Sequence, residues 1–103
     1  MPEKSQTKKI FRLRPKAESD LENIYAYSYK EFGLSKAEQY IHDLSAAFQQ
    51  LADDPDSGRD MSLIRKDVKV YPVNSHVFFF KPTSFGITIL RVLHKSMVYS
   101  SHL

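Results

Sequence analysis

The stretch Gly86-Ile87-Thr88-Ile89-Leu90-Arg91-Val92-Leu93-His94-Lys95-Ser96-Met97 decides the fold of this 103-residue chain. Its apolar and β-branched residues predict a strand up to His94 that needs cover on both faces. Residues 68–73 and 76–81 have a similar composition, and turn residues separate the three segments. Together they predict an antiparallel meander of three strands at the C-terminal end of the chain.

A strand and a helix are expected before the meander. Residues 10–14 alternate between apolar and basic side chains, which is the pattern of a half-buried strand. Pro15 ends this strand and suits the first turn of a helix, where its missing N–H is no loss. Apolar side chains then recur at helical spacing over about residues 16–32, and Gly33 stands where a left-handed C-terminal cap is needed.

A second helix follows almost at once. Ser35 and Glu38 match the capping box Ser-x-x-Glu, so this helix is expected to begin there. Its apolar stripe continues to Leu51, and Pro55 stops it because the residue before a proline is pushed out of helical geometry. With only residues 33–34 between them, the two helices should form an antiparallel hairpin.

These elements predict one α+β domain with a four-stranded, mainly antiparallel sheet. The first strand is expected to lie beside the last strand and parallel to it, with the helix hairpin on one face of the sheet. Because the last two strands are apolar on both faces, the second face should be covered by the C-terminal tail, residues 95–103, or by another chain.

The composition indicates a single small domain without disulfides or a metal. The absence of cysteine excludes a disulfide framework, a thiolate zinc site and a cysteine nucleophile. The four histidines show no short ligand spacing, so no metal or other cofactor is expected. No apolar run approaches a membrane span, and the polar start has no signal peptide. We therefore expect one cytoplasmic domain over residues 1–103, with residues 1–7 flexible.

The charge of the chain is unevenly distributed. Its net charge of +3 is too small to indicate nucleic-acid binding on its own. Basic side chains nevertheless concentrate before residue 17, where Glu3 is the single acid among Lys4, Lys8, Lys9, Arg12, Arg14 and Lys16. These cations are either solvated charges around the first strand or a surface for an anionic partner.

Arg91 is the cation whose position is hardest to explain by packing. Strict alternation along the last strand places it on one face with Ile87, Ile89 and Leu93, where an unpaired charge would cost several kcal/mol. It must therefore meet an in-chain carboxylate or lie on a working face. With Arg59, Arg65 and Lys66, it would form a cationic cluster for phosphate or an acidic partner, while solvation of the loops explains the same residues equally simply.

Four side chains near the C-terminus have the chemistry of a ribonuclease. His94, Tyr99 and His102, together with Arg91, can supply an acid, a base and a charge stabiliser for attack of a 2′-hydroxyl on the adjacent phosphate. The sequence alone leaves this hypothesis open beside a role in binding.

The chain resembles the toxins of the ParE/RelE superfamily, and it lies closer to the ParE branch. The resemblance covers nearly the whole chain and rests on segments in a fixed order, namely 13–17, 20–25, Leu51-Ala52, Pro55, Gly58-Arg59, 91–94, Met97 and His102-Leu103. After Arg91 the pattern is similar to the ParE form, Arg-x-Leu-His-x-x-Met-x-x-x-x-His-Leu. Val98 departs from it, because many ParE-like tails have Asp after the Met.

The resemblance implies a RelE/ParE-like fold and a toxin of a type II toxin–antitoxin system. Such a toxin inhibits DNA gyrase without being an enzyme, stabilises plasmids and forms a hetero-oligomer with a ParD-like antitoxin that neutralises it. Sequence-specific binding of nucleic acid is not expected. The alternative is a RelE-type endoribonuclease that cuts messenger RNA on the ribosome. The candidate target-binding residues are Arg59, Arg65, Arg91, His94, Met97, Tyr99 and His102.

An antitoxin segment is expected to add a helix to an apolar groove or a strand to an edge. The candidate antitoxin-binding residues lie on the two helices and the third strand, and they are Tyr25, Tyr29, Tyr40, Leu44 and Phe79. The alternative for the tyrosines of the first helix is a core edge with wet hydroxyls.

Overall fold

A helix hairpin packs on one face of a five-stranded sheet in the computed structural model, which describes residues 8–63 and 65–97. The elements follow the order β1 (Ile10–Leu13), α1 (Pro15–Phe32), α2 (Leu34–Asp53), a 3-10 turn (Pro55–Ser57), β2 (Arg59–Asp60), β3 (Lys69–Val73), β4 (His76–Thr83) and β5 (Gly86–His94). None of the helices in these two ranges has the length and apolar character needed to cross a membrane.

The sheet order is β1-β5-β4-β3-β2. As predicted, β1 lies parallel to β5, while the other pairs are antiparallel. The sheet has five strands, one more than the four that were expected. The additional strand, β2, consists of Arg59 and Asp60, which pair with Val70 and Lys69. Two charged residues carry no alternating apolar pattern, so the sequence gives no sign of this strand.

One glycine ends the first helix and begins the second. Gly33 has a φ of 90°, its N–H donates to Tyr29 O (2.9 Å), and its own carbonyl accepts the N–H of Ala37 (3.1 Å). Its positive φ agrees with the expected cap, but its ψ of 174° is extended rather than left-handed helical. The predicted capping box was wrong, because α2 has already begun at Leu34 and the cap position belongs to Gly33, which has no side chain.

A β-bulge in β5 changes which residues face the helices. Phe80 pairs with Ile89 and Phe79 pairs with Arg91, so Leu90 is an extra residue without a partner. Ile89 and Val92 consequently belong to the core under the helices, whereas Leu90 belongs to the cluster on the second face. Strict alternation was right for Leu90 but wrong for Val92 and Leu93, since an extra residue reverses the sidedness of those that follow.

Each face of the sheet has its own apolar cluster. The cluster under the helices is built around Phe48, whose ring lies 4.7 Å from that of Phe78 and 5.3 Å from that of Phe11. The second cluster comprises Val68, Val70, Val77, Phe79, Leu90 and Leu93, with Met61 packed against it. Part of the cover expected from the tail or another chain thus comes from the segment that follows β2.

Gly86 allows β1 to reach the sheet. Its φ is 142°, and a Cβ built on it would lie 1.9 Å from the carbonyl oxygen of Ile10, its partner on β1. Any side chain at this position must therefore push the two strands apart. Gly33 also has a positive φ, but a Cβ there would meet nothing within 4 Å.

We expect Gly86→Ala to lower the free energy of unfolding by at least about 4 kcal/mol, because backbone strain and a clash with Ile10 add together. Gly33→Ala, which brings strain without the clash, should cost about 1–3 kcal/mol. Urea-induced unfolding followed by circular dichroism measures both. Equal losses in the two variants would show that the contact with Ile10 does not limit this position.

Candidate functional site

The carboxylate of Asp20, on α1, holds the edge of β5. Its two oxygens accept hydrogen bonds from Arg91, with 2.8 Å from Nε to Oδ2 and 3.0 Å from Nη2 to Oδ1. Oδ2 also accepts the backbone N–H of Val92 at 2.9 Å. The bond to Asp20 raises the pKa of Arg91 above its ordinary value, although burial acts in the opposite direction. Of the two explanations for Arg91, pairing with an in-chain carboxylate is the one observed.

This contact lies beyond the point where β5 stops pairing with β1. The pairing of β1 with β5 ends at Leu13 and Ile89, after which the N–H of Arg14 donates to Ile89 O (3.0 Å). The chain then turns into α1, so the next part of the β5 edge lies beyond the reach of β1. Asp20 supplies an acceptor there and ties α1 to the sheet, which fixes one wall of a groove.

The groove lies between the two helices, the β3–β4 turn and the end of β5, and it has a volume of about 460 Å³. Its lining is mostly apolar and aromatic, with a few polar groups: Tyr27, Ser28, Phe32, Lys36, Tyr40, Ser75, His76 and His94. A smaller hollow of about 250 Å³ shares Tyr27, Ser28 and both histidines with it. An open apolar groove with few polar groups is typical of a site for an amphipathic segment.

Tyr40, His76 and His94 form a row of rings at one end of the groove. The hydroxyl of Tyr40 lies 2.5 Å from Nδ1 of His76 and 3.4 Å from the carbonyl oxygen of Val73. The ring of His76 lies 5.5 Å from the ring of Tyr40 and 5.3 Å from that of His94. Burial raises the pKa of Tyr40, which keeps its hydroxyl protonated. Burial, and the nearby His94, lower the pKa of His76, which favours its neutral ring.

His94 is exposed at the end of β5, where the chain leaves the sheet. Its Nδ1 accepts the backbone N–H of Ser96 at 3.1 Å and lies 2.8 Å from the hydroxyl of that serine. In the neutral ring the proton is therefore on Nε2. The N–H of Lys95 donates to Ser75 O (2.9 Å), so the β3–β4 turn fixes the direction in which the tail departs.

The predicted cationic cluster is not gathered in one place. Arg59, Val70, Phe79 and Arg91 form one row across four strands, so the two arginines are about 14 Å apart with apolar residues between them. Arg65 lies in the loop between β2 and β3.

The other predicted target-binding residues lie around the tail. His94 borders the groove, and Met97 is exposed just beyond it. Residues 98–103 of the predicted tail, which include Tyr99 and His102, lie outside the described residues.

The predicted antitoxin-binding residues have three different placements. Tyr40 lines the groove. Tyr25 and Tyr29 pair along α1 with their ring centroids 6.4 Å apart, and Tyr29 is exposed. Leu44 and Phe79 are buried, one under the helices and one on the second face, so they do not present side chains to a partner.

Sequence reasoning missed two groove residues, Phe32 and His76, and it considered Tyr27 only together with the other tyrosines of α1, as a core edge or part of a partner groove. Phe32 follows the helical spacing of α1 and was expected on the buried stripe, yet 66% of it is exposed beside the interhelical turn. Tyr27 lies three residues after Ile24, at the edge of the buried stripe of α1. A large aromatic side chain at such an edge position is the sequence signal that could have revealed it.

Comparison with known proteins identifies the family. Residues 11–99 match the family model described as "ParE toxin of type II toxin-antitoxin system, parDE". The chain belongs to the ParE toxin family. It is 33% identical over 95 residues to Toxin ParE1 of Caulobacter vibrioides, an alignment that covers 92% of this chain and 98% of the relative. It is 35% identical over 88 residues to Toxin ParE1 of Mycobacterium tuberculosis H37Rv, covering 84% and 90%.

A solved structure agrees with the fold. The structure titled "Chromosomal ParDE TA system from P. aeruginosa" matches with a TM-score of 0.71 at 20% identity, over 86% of this chain and 98% of the other. This ParE-family chain is therefore a toxin of a type II toxin–antitoxin system with the α+β architecture expected from its sequence.

The lowered pKa of His76 predicts a loss of stability in acid. The unfolded chain binds this proton more readily than the folded one, so the contribution of His76 is fully present above pH 6.5 and is lost as the pH falls below it toward the lowered folded pKa. Urea unfolding of the wild type between pH 7.5 and 5.0 should show this decline, and His76→Gln should flatten it. His42→Gln, at an exposed histidine of α2, measures the general effect of losing a histidine; an equal flattening there would contradict the assignment.

Proposed function

We propose that this toxin inhibits DNA gyrase in the cytoplasm and that a ParD-like antitoxin neutralises it by binding the groove. The match of residues 11–99 to the ParE toxin family is the observation that carries the proposal. The groove gives the proposal a physical form, because a groove with a mostly apolar surface is the kind of site in which an amphipathic helix lies.

The aromatic rim of the groove supports the antitoxin as its occupant. Tyr27 and Phe32 are 64% and 66% exposed, and Leu34 beyond the interhelical turn is also exposed. Such a cluster is costly to leave in water and favours a partner that buries it. Lys36 adds a cation to the same rim, so a helix with an apolar face and an acidic flank fits the groove. Tyr25 and Tyr29 extend the proposed surface along α1.

We expect the double variant Tyr27→Ala/Phe32→Ala to weaken binding of the cognate antitoxin at least about 100-fold, because exposed aromatic anchors carry most of the energy of an interface. Leu63→Ala is the matched control, since Leu63 is fully exposed in the loop between β2 and β3, away from the groove. Isothermal titration calorimetry measures both. Unchanged affinity in the double variant, with an intact thermal transition, would place the antitoxin elsewhere.

The proposed surface for gyrase is the C-terminal tail with His94 and Met97 at its root. The chain leaves the sheet at His94, its direction is fixed by the bond from Lys95 to Ser75, and Met97 is exposed. Because both apolar clusters are formed without Met97, this exposed side chain can contact a partner. Arg59, Arg65 and Arg91 complete the proposed set, with Arg91 acting through its bond to Asp20 as a support for the end of β5.

A second candidate function is cleavage of messenger RNA. The observation that favours it is the pair of histidine rings 5.3 Å apart at the mouth of the groove, since two imidazoles can act as acid and base. Against it, Nδ1 of each ring is already engaged, in one by Tyr40 and in the other by Ser96, and Arg91 is held by Asp20.

A chain that ends at Lys95 should lose inhibition of gyrase supercoiling and of growth, while its antitoxin affinity stays within about tenfold. Of the proposed gyrase contacts, Met97 and the rest of the tail lie beyond the cut, whereas the groove lies before it. A supercoiling assay and antitoxin titration are run on the full chain and the truncated chain, with thermal unfolding to check the fold.

The same proteins are tested on translating ribosomes. The full chain should show no RNA cleavage, so His94→Ala should have no effect in this assay. Strong cleavage that this variant lowers about 100-fold would replace gyrase inhibition by the endoribonuclease function. Supercoiling inhibition by a folded, truncated chain would show that the tail is not the gyrase surface.

A further inference from the structure

A row of cations crosses the sheet on the face opposite the helices. Arg12 on β1 and Lys81 on β4 both pair with Thr88 on the central strand β5. Residues that pair across strands share a face, and their neighbours Leu13 and Ile89 belong to the core under the helices. Arg12, Thr88 and Lys81 therefore lie together on the second face, with a hydroxyl between two cations.

A hollow of about 400 Å³ surrounds this row, and Arg14 adds a third cation to its lining. The guanidinium of Arg12 lies 4.6 Å from the centroid of the Phe85 ring, which holds it in place at the rim. The hydroxyl of Thr83, a further lining residue, is buried and has no hydrogen-bond partner among the described residues. The hollow thus combines three cations with two threonine hydroxyls.

The same edge of the sheet is basic along its whole length. Between residues 8 and 17 there is no acid, and the cations Lys8, Lys9, Arg12, Arg14 and Lys16 are all exposed. The Nζ of Lys9 donates to Ser84 O (3.1 Å), so this cation is also held beside the β4–β5 turn. The antitoxin groove and the tail use neither these cations nor Lys81.

We infer that this basic face, Arg12, Arg14 and Lys81 around Thr88, binds backbone phosphates of a nucleic acid. Arginine, lysine and threonine hydroxyls are the groups that contact phosphates. Arg12 on β1 and the extended Arg14 just after it are about 7 Å apart along the backbone, so the two guanidinium groups can contact different phosphates of one strand.

The surface is less suited to an acidic protein or to reading of bases. Ile10 is the one exposed large apolar side chain of β1, whereas a protein interface needs an apolar centre. The hollow contains no Asn or Gln to read adenine edges. The inferred contacts are to backbone phosphates, which carry no sequence information, so the inferred binding is independent of sequence. It goes beyond gyrase inhibition and antitoxin binding, and it is testable on the toxin alone.

The test is fluorescence anisotropy of a labelled 20-base-pair DNA duplex and of a matching single-stranded RNA, titrated with the full chain at several salt concentrations. Arg12→Gln/Arg14→Gln should weaken binding of the bound nucleic acid at least tenfold at 50 mM salt. It should also lower the slope of log K against log salt by about 1.8 for the duplex, or about 1.4 for the single strand, because two phosphate contacts are lost. The two arms tell which nucleic acid supplies the phosphates.

Lys30→Gln/Lys66→Gln, which removes one exposed cation from α1 and one from the loop between β2 and β3, is the matched control and should leave affinity within about threefold. Arg12→Lys/Arg14→Lys should retain most of the binding, since a nonspecific phosphate contact needs charge. Lys81→Gln replaces the arginine variant if that variant fails to fold. No binding of either nucleic acid at 50 mM salt, an equal loss in the control, or tighter binding of poly-glutamate than of both nucleic acids would overturn the inference.

Discussion

The carboxylate of Asp20 is the contact on which the working parts of this toxin depend. It joins α1 to the edge of β5 at the point where β1 turns away, and it satisfies both the Arg91 guanidinium and the N–H of Val92. Without it, a partly buried cation and a backbone donor would lack this acceptor, which is costly at a sheet edge. Because α1 and the end of β5 form two walls of the groove, the same carboxylate sets the distance between Tyr27 and His94.

Most of the fold could be predicted from the sequence because it depends on repeating patterns. The helices and the meander follow from the spacing of apolar residues and turns, and the parallel pairing of β1 with β5 belongs to the fold that the family resemblance implies. The errors arose where the backbone conformation at a single residue determines the structure instead of a repeating pattern. Leu90 forms a bulge that no periodicity reveals, and Gly33 starts α2 before Ser35 can cap it. The short strand β2 is held by its pairing with β3 and has no pattern of its own.

The candidate site was harder to predict because surface exposure depends on neighbours distant in sequence. Tyr40 lies on the expected helix, but its partner His76 is the first residue of β4, 36 positions later, and only the folded chain brings them together. Leu44 and Phe79 are large apolar residues that could serve a binding surface, yet Leu44 is buried between the helices and the sheet and Phe79 is buried in the cluster on the second face. Phe32 follows the buried spacing, but it lies beside the turn between the helices, where the core no longer covers it.

The parallel pairing of β1 with β5 has a consequence for how the toxin is made. Asp20 and Arg91 are 71 positions apart, and ribosomes add about 5–20 residues per second, so roughly 4–14 s pass between synthesis of the two. Until then β1 has no strand to join, and the nascent helices lie over an incomplete sheet. Non-local pairing of this kind also slows folding. A newly translated chain therefore passes through an interval in which its sheet is incomplete and the apolar faces of its helices are exposed.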